Sequence, residues 1–246
     1  MNYFDAHAYL ADTALSHAMA TPDAIAATLG RGGITGAALI SGLAAQCDFI
    51  TGNARLRQVL NPAAGIYGYV TLNSGYPEES QEEQRKHLGR REFVAAVMFG
   101  HDGRPVTLND SREILNAQRR YTKPMAIHTP NAAAVHAARE IAVEFPSMKF
   151  ILLGMGGESW HGAVAAAKQH LNIYLEISGS LDSDKITQAA AALTPRKLLF
   201  GSGLPYSDPQ LTIGLVEDAS ALTAADRARI FSQNAVLLFN AQTDDE

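Results

Sequence analysis

Short runs of apolar and β-prone residues recur along the chain, separated by stretches with helical character. The runs predict strands at 2–7 (NYFDAH), 34–41 (ITGAALIS), 65–72 (GIYGYVTL) and 92–99 (EFVAAVMF). Four more follow at 123–128 (KPMAIH), 149–154 (KFILLG), 172–178 (NIYLEIS) and 197–202 (KLLFGS). Several are apolar without alternation, as in parallel strands covered on both faces. Helix starts lie between them. Thr21 precedes Pro22 and Thr129 precedes Pro130, each reading as a cap followed by a residue suited to the first helical turn. Asp110 stands three residues before Glu113 in the spacing of a capping box, and Thr223 opens a further helix.

Strand starts are spaced by roughly 23 to 32 residues, the length of a strand, a helix and two short loops. No linker or composition break interrupts the series. Eight such units in 246 residues predict one domain, 1–246, folded as an α/β (β/α)8 TIM barrel, a fold of about 250 residues. A doubly wound sheet is the alternative, but no GxGxxG follows the first strand.

Composition then narrows the partners. The chain is 47% hydrophobic and 18% charged, ordinary for a globular protein, and its net charge of −5 offers no basic face to a nucleic acid. No segment approaches the ~18 uninterrupted apolar residues of a membrane span, and the first residues lack a leader pattern. The expected location is the cytoplasm. The expected partners are a small-molecule substrate and, as a candidate, further copies of the chain in a homo-oligomer. Cys47 is the only cysteine, which removes an internal disulfide and a four-cysteine zinc site, and it reads as a small buried residue. The charged run from Pro77 to Lys86 reads as a solvated helix face. His17, His87, His136 and His170 fall in helices or their flanks and read as structural or solvated.

In such a barrel the chemistry lies at the C-terminal strand ends. His7 and Tyr9 end strand 1, with Asp5 on the same face if alternation persists. His101 lies just beyond strand 4, His128 ends strand 5, Met155 follows strand 6, Glu176 lies on strand 7 and Gly203 follows strand 8.

These motifs, in this order, resemble the amidohydrolase-related metal-dependent hydrolases, and within them the subgroup of decarboxylases and lactonases of aromatic breakdown. FDAHAYL resembles the family's Asp-x-His-x-His opening, KPMAIHTP its strand-5 histidine, and KFILLGMGGES its Gly-His-x-Gly-Gly segment. KLLFGSGLPYSDP resembles its Phe-Gly-Ser/Thr-Asp-x-Pro signature, and RIFSQNAVLLFN its terminal Asn-Ala-x-x-Leu-Phe. The resemblance implies hydrolysis or decarboxylation of a small carboxylated or lactone-like substrate. It also implies a divalent metal held by two strand-1 histidines, the strand-5 histidine and a strand-8 aspartate.

Carried over by position, His7 and His128 remain as metal ligands and catalytic groups. Tyr9, Met155 and Gly203 stand where the second histidine, the strand-6 histidine and the aspartate would be. Glu176 is a further catalytic candidate, and Tyr9, His101, Met155 and Gly203 are candidate substrate contacts. A catalytic zinc normally takes three protein ligands, a thioether suits softer metals, and glycine offers no ligand. The expected cofactor is therefore none, or one weakly bound divalent ion, zinc or manganese. Two alternatives follow: an inactive barrel used for binding or oligomerisation, and a barrel that anchors phosphate on the glycine-containing loops Ser178–Ser180 and Gly201–Gly203.

Overall fold

A computed structural model of the protein describes residues 2–12 and 21–241. All eight predicted strands form one parallel sheet in sequence order. They are β1 (Phe4–Leu10), β2 (Gly36–Ser41), β3 (Ile66–Leu72), β4 (Phe93–Met98), β5 (Met125–His128), β6 (Phe150–Leu153), β7 (Ile173–Glu176) and β8 (Leu198–Leu199). Helices alternate with them: α1 (Pro22–Arg31), the pair α2 (Gly42–Gln46) and α3 (Phe49–Val59), α4 (Pro77–His87), α5 (Leu108–Gln118) and α6 (Ala132–Glu144). α7 (Trp160–Gln169), α8 (Ser183–Leu193), α9 (Pro209–Asp218), α10 (Ala224–Ala228) and α11 (Asn234–Phe239) complete the set. This is a (β/α)8 TIM barrel. Among the described residues no helix is long and apolar enough to cross a membrane.

β8 is far shorter than the sequence predicts, and the cause lies in β1. Asp5 pairs with Ala37 but Ala8 pairs with Leu39, so β1 carries one extra residue between them. The residues after β8 close the barrel on this bulged strand with single bonds. Ala6 N donates to Phe200 O at 2.9 Å, Gly203 N to His7 O at 2.7 Å, and Tyr9 N to Leu204 O at 2.7 Å. The bulge also corrects the expected facing of β1. Asp5 shares its partner's side with the outer layer, whereas Tyr9, paired with Ile40, faces the interior.

Two apolar layers hold the barrel. Phe4, Ala38, Tyr69, Val97, Ile151 and Leu199 fill its interior, where the Tyr69 hydroxyl donates to Ala6 O at 2.7 Å. α11 packs against this interior cluster and sets the Phe239 ring against Phe4 and Tyr69, 5.9 Å from each. The outer layer joins strands to helices, which is why the strands read as apolar on both faces.

Some helices start where the local signals predict, and others start elsewhere. Thr21 caps α1 by accepting from Ala24 N, and Thr223 forms a capping box with Asp226. α6 instead starts after Asn131, whose side chain accepts from Ala134 N, while the Thr129 hydroxyl donates to Leu153 O. Thr107, not Asp110, caps α5, because its hydroxyl accepts from Asp110 N. α4 is not wholly solvated. Lys86 pairs with exposed Glu82 at 2.9 Å, but Glu83 is buried and accepts from Asn53 Nδ2 at 3.0 Å. Cys47 is exposed at the end of α2 rather than buried. His17 lies outside the described residues.

Candidate active site

His7 lies at the C-terminal half of bulged β1 and is buried. Its Nδ1 is 2.8 Å from Glu176 Oε2 and 2.9 Å from Ser178 Oγ. Its Nε2 is 2.9 Å from the Tyr9 hydroxyl. Strand geometry brings these groups together: Glu176 ends β7, Ser178 follows two residues later, and Tyr9 lies two residues beyond His7 on the same face.

Glu176 is completely buried and accepts four hydrogen bonds, from His7 Nδ1, Gly154 N, Ser178 N and Ser178 Oγ. Burial alone would raise its pKa. The His7 ring and the other donors outweigh that, so its carboxyl titrates below the ordinary range and is ionised at neutral pH. An ionised acceptor at Nδ1 fixes the proton there, which leaves Nε2 to accept from Tyr9. The Tyr9 phenol is raised by burial, then by the Glu176 and Tyr206 charges, and keeps its proton. The result is a continuous chain, Glu176–His7–Tyr9, running from the barrel interior to its mouth. Tyr9 meets the ring of exposed Tyr206 edge-on at 5.3 Å.

Gly201 makes room for this chain. An added Cβ there would lie 2.2 Å from Glu176 Oε1 and 2.9 Å from His7 Cβ. Asp5 supports it from behind, accepting from His7 N at 3.0 Å, Ser202 N at 3.0 Å and Ser202 Oγ. Burial pushes the Asp5 carboxyl up to about 6 despite those bonds.

His128 ends β5 on the other side of the mouth and is half-buried, its ring 5.5 Å from that of Phe99. No hydrogen bond to another described residue engages its ring. Burial lowers its pKa, and His7 lies near enough to lower it further, against the pull of Glu176.

Other expected residues do not join the site. Met155 is 1% exposed and belongs to the outer apolar layer, so its thioether packs in the core. It is a non-glycine residue in the left-handed region, at φ 50°, within the turn whose Gly154 N–H holds Glu176. His101 is exposed on a turn bridged to Arg104. Gly203 contributes its backbone to barrel closure, with open space where a side chain would be.

The phosphate alternative meets a physical obstacle. The N–H groups of Ser178 and Gly154 donate to Glu176, that of Ser202 to Asp5, and that of Gly203 to His7 O. These loops turn their donors inward, onto the protein's own acceptors. Ser178, within one of those loops, instead bonds Glu176 and His7. Its position two residues beyond Glu176 was the available signal that both touch one partner.

A divalent metal would find few free donors here. Both His7 nitrogens already have partners, His128 supplies one imidazole, and Gly203 supplies no side chain. Among the described residues no three of His, Cys, Asp or Glu are grouped so as to hold a metal ion. The residues present do not fit that group.

The sequence pattern of a family described as Amidohydrolase matches residues 1–241. No curated protein matches the chain by sequence. Solved structures similar to it include a dihydroxybenzoic acid decarboxylase from Polaromonas with bound manganese and 2-nitroresorcinol, at TM-score 0.73 and 16% identity over 97% of this chain and 96% of that one. A 5-carboxyvanillate decarboxylase from Sphingomonas paucimobilis gives TM-score 0.72 and 13% identity over 98% and 99% of the two chains. A 4-oxalomesaconate hydratase from Rhodopseudomonas palustris gives 0.70 and 16% over 97% and 96%. At these identities the likeness establishes the shared fold alone.

Proposed function

The chain belongs to the amidohydrolase family matched over residues 1–241, and from that premise we propose that it hydrolyses a small carboxylated, lactone-like ester without a metal ion. The observation that carries this reading is the Glu176–His7–Tyr9 chain, with links of 2.8 and 2.9 Å. A buried carboxylate that orients a histidine at Nδ1 leaves Nε2 as a base, the arrangement that general base catalysis requires.

The steps follow from the groups present. Substrate enters the mouth, and the Tyr9 hydroxyl turns from His7 Nε2 to the ester carbonyl oxygen. A water gives its proton to Nε2 while its oxygen bonds to the carbonyl carbon. Glu176 stabilises the imidazolium so formed. Tyr9, which holds its proton strongly, donates to the oxyanion. Collapse breaks the C–O ester bond, and the departing alkoxide takes the proton back from Nε2, giving the hydroxy acid.

A panel of small lactones and ortho-hydroxybenzoic acids, assayed with and without chelator, tests the reading. Lactone turnover that survives chelation and disappears in Glu176→Gln is the expected result. Turnover that needs added manganese or zinc, release of carbon dioxide alone, or no turnover of any member would overturn it.

A further inference from the structure

Beside His128 lies a cavity of about 210 Å³ that the Glu176–His7–Tyr9 chain does not use. It opens between the turn after β4 and the start of α6, and Arg104, Pro105, His128, Pro130 and Asn131 are among its walls. None of its lining residues is acidic, and the first turn of α6 carries no acid either. Its volume falls below the range of about 300–1,000 Å³ usual for drug-sized ligands, so it suits one small group.

Arg104 is exposed, and its guanidinium has no ion pair or hydrogen bond with another described residue. The contrast with Arg112 is direct, since that side chain bridges to Glu144. The turn that carries Arg104 is tightly made. Arg104 N donates to His101 O at 2.8 Å, and an added Cβ at Gly100 would lie 2.1 Å from Arg104 O. The side chain therefore starts from a fixed point on the cavity wall, while its charge is left unanswered.

We propose that this cavity takes the carboxylate of the substrate, with the Arg104 guanidinium as its counter-ion and the His128 imidazole as a hydrogen-bond donor. The proposal rests on the hydrolytic reading of the mouth and names the group that anchors the substrate there. A guanidinium presents a planar fork that matches a carboxylate in two parallel bonds. Pro105 and Pro130 supply apolar walls for the carbon skeleton behind the acid. His128, on the cavity wall, is close enough to His7 and Glu176 to feel their charges, which links this cavity to the hydrogen-bonded chain. Inorganic phosphate offers similar anion chemistry but no skeleton for those walls.

Calorimetric titration of the full chain with benzoate, and separately with inorganic phosphate, tests the proposal. Benzoate binds the native protein, its Kd rises at least tenfold in Arg104→Gln, and Arg104→Lys recovers part of the loss. Tyr9→Phe leaves benzoate binding unchanged while lowering lactone turnover by about a hundredfold. Equal benzoate affinity in Arg104→Gln and the native protein, no benzoate binding at all, or tighter binding of phosphate than of benzoate would each overturn the proposal. Arg104-dependent benzoate binding in a protein that turns over no lactone would reject the hydrolytic reading and keep the subsite. Lactone turnover indifferent to Arg104 would reject the subsite alone.

Discussion

Where β7 and β8 meet β1, every carboxylate oxygen of the site has a donor: Glu176 takes four hydrogen bonds and Asp5 takes three. Across the mouth, at β4 and β5, neither the His128 ring nor the Arg104 guanidinium bonds to another described residue. The first side is pre-organised, its carboxylates held by donors of the protein itself. The second offers unanswered polar groups around a cavity, which is how a surface is left for a ligand. On the proposed reading, one barrel rim separates proton handling from substrate capture.

The contrast can be broken most forcefully at Glu176. Glu176→Ala leaves four donors without their acceptor, and a loss of about 3–5 kcal/mol in urea unfolding is expected, with turnover abolished. Retention of native stability would show that the wired side is not wired. Asp5 gives the next largest effect, with a distinctive sign. Its carboxyl is raised from 3.8 to about 6, so the folded state holds its proton more tightly than the unfolded chain does. Its contribution is full below about 4 and is lost as pH rises through about 6, a change of about 3 kcal/mol. Glu176 runs the other way: its pKa is depressed, so its contribution is lost as pH falls. Comparing the native protein with Asp5→Asn from pH 3 to 7 isolates the first: the native protein should lose ground to the variant over that interval.

Gly201→Ala sharpens the same side, since the new Cβ must displace Glu176 or His7. A loss of about 1–3 kcal/mol is expected by thermal unfolding, with turnover falling in parallel. Tyr9→Phe removes a single hydroxyl. It should cost about 1 kcal/mol of stability yet lower turnover by about a hundredfold, separating the chemical role from the structural one. On the open side, Arg104→Gln and His101→Ala should each leave stability within about 0.5 kcal/mol, because neither side chain is buried.

Much of the fold was legible because it is written in local patterns. Each strand is a short apolar run, and caps such as Thr21 and Thr223 act within three residues of themselves. The exceptions arose where a local signal had a competitor. Thr129 looked like a cap, but the neighbouring strand offered its hydroxyl the Leu153 carbonyl, and Asn131 took the role. The site was legible only in part. His7, Tyr9 and Glu176 were identified singly, from strand-end position and family resemblance, but their pairing joins residues 169 positions apart. Met155 was placed at the mouth by the same position rule and lies in the core, because a left-handed turn redirects it.

The sequence by itself determined the barrel, since eight apolar runs at regular spacing can bury both their faces in few other ways. It also puts Tyr9, Met155 and Gly203 where the resemblance implies two histidines and an aspartate. Only the tertiary structure decided what His7 does. One extra residue in β1 turns His7 and Tyr9 into the interior, and the close approach of β7 over Gly201 places Glu176 on its ring. A bulge and a contact across the barrel depend on where the strands lie relative to one another, and no periodicity along a single strand encodes that.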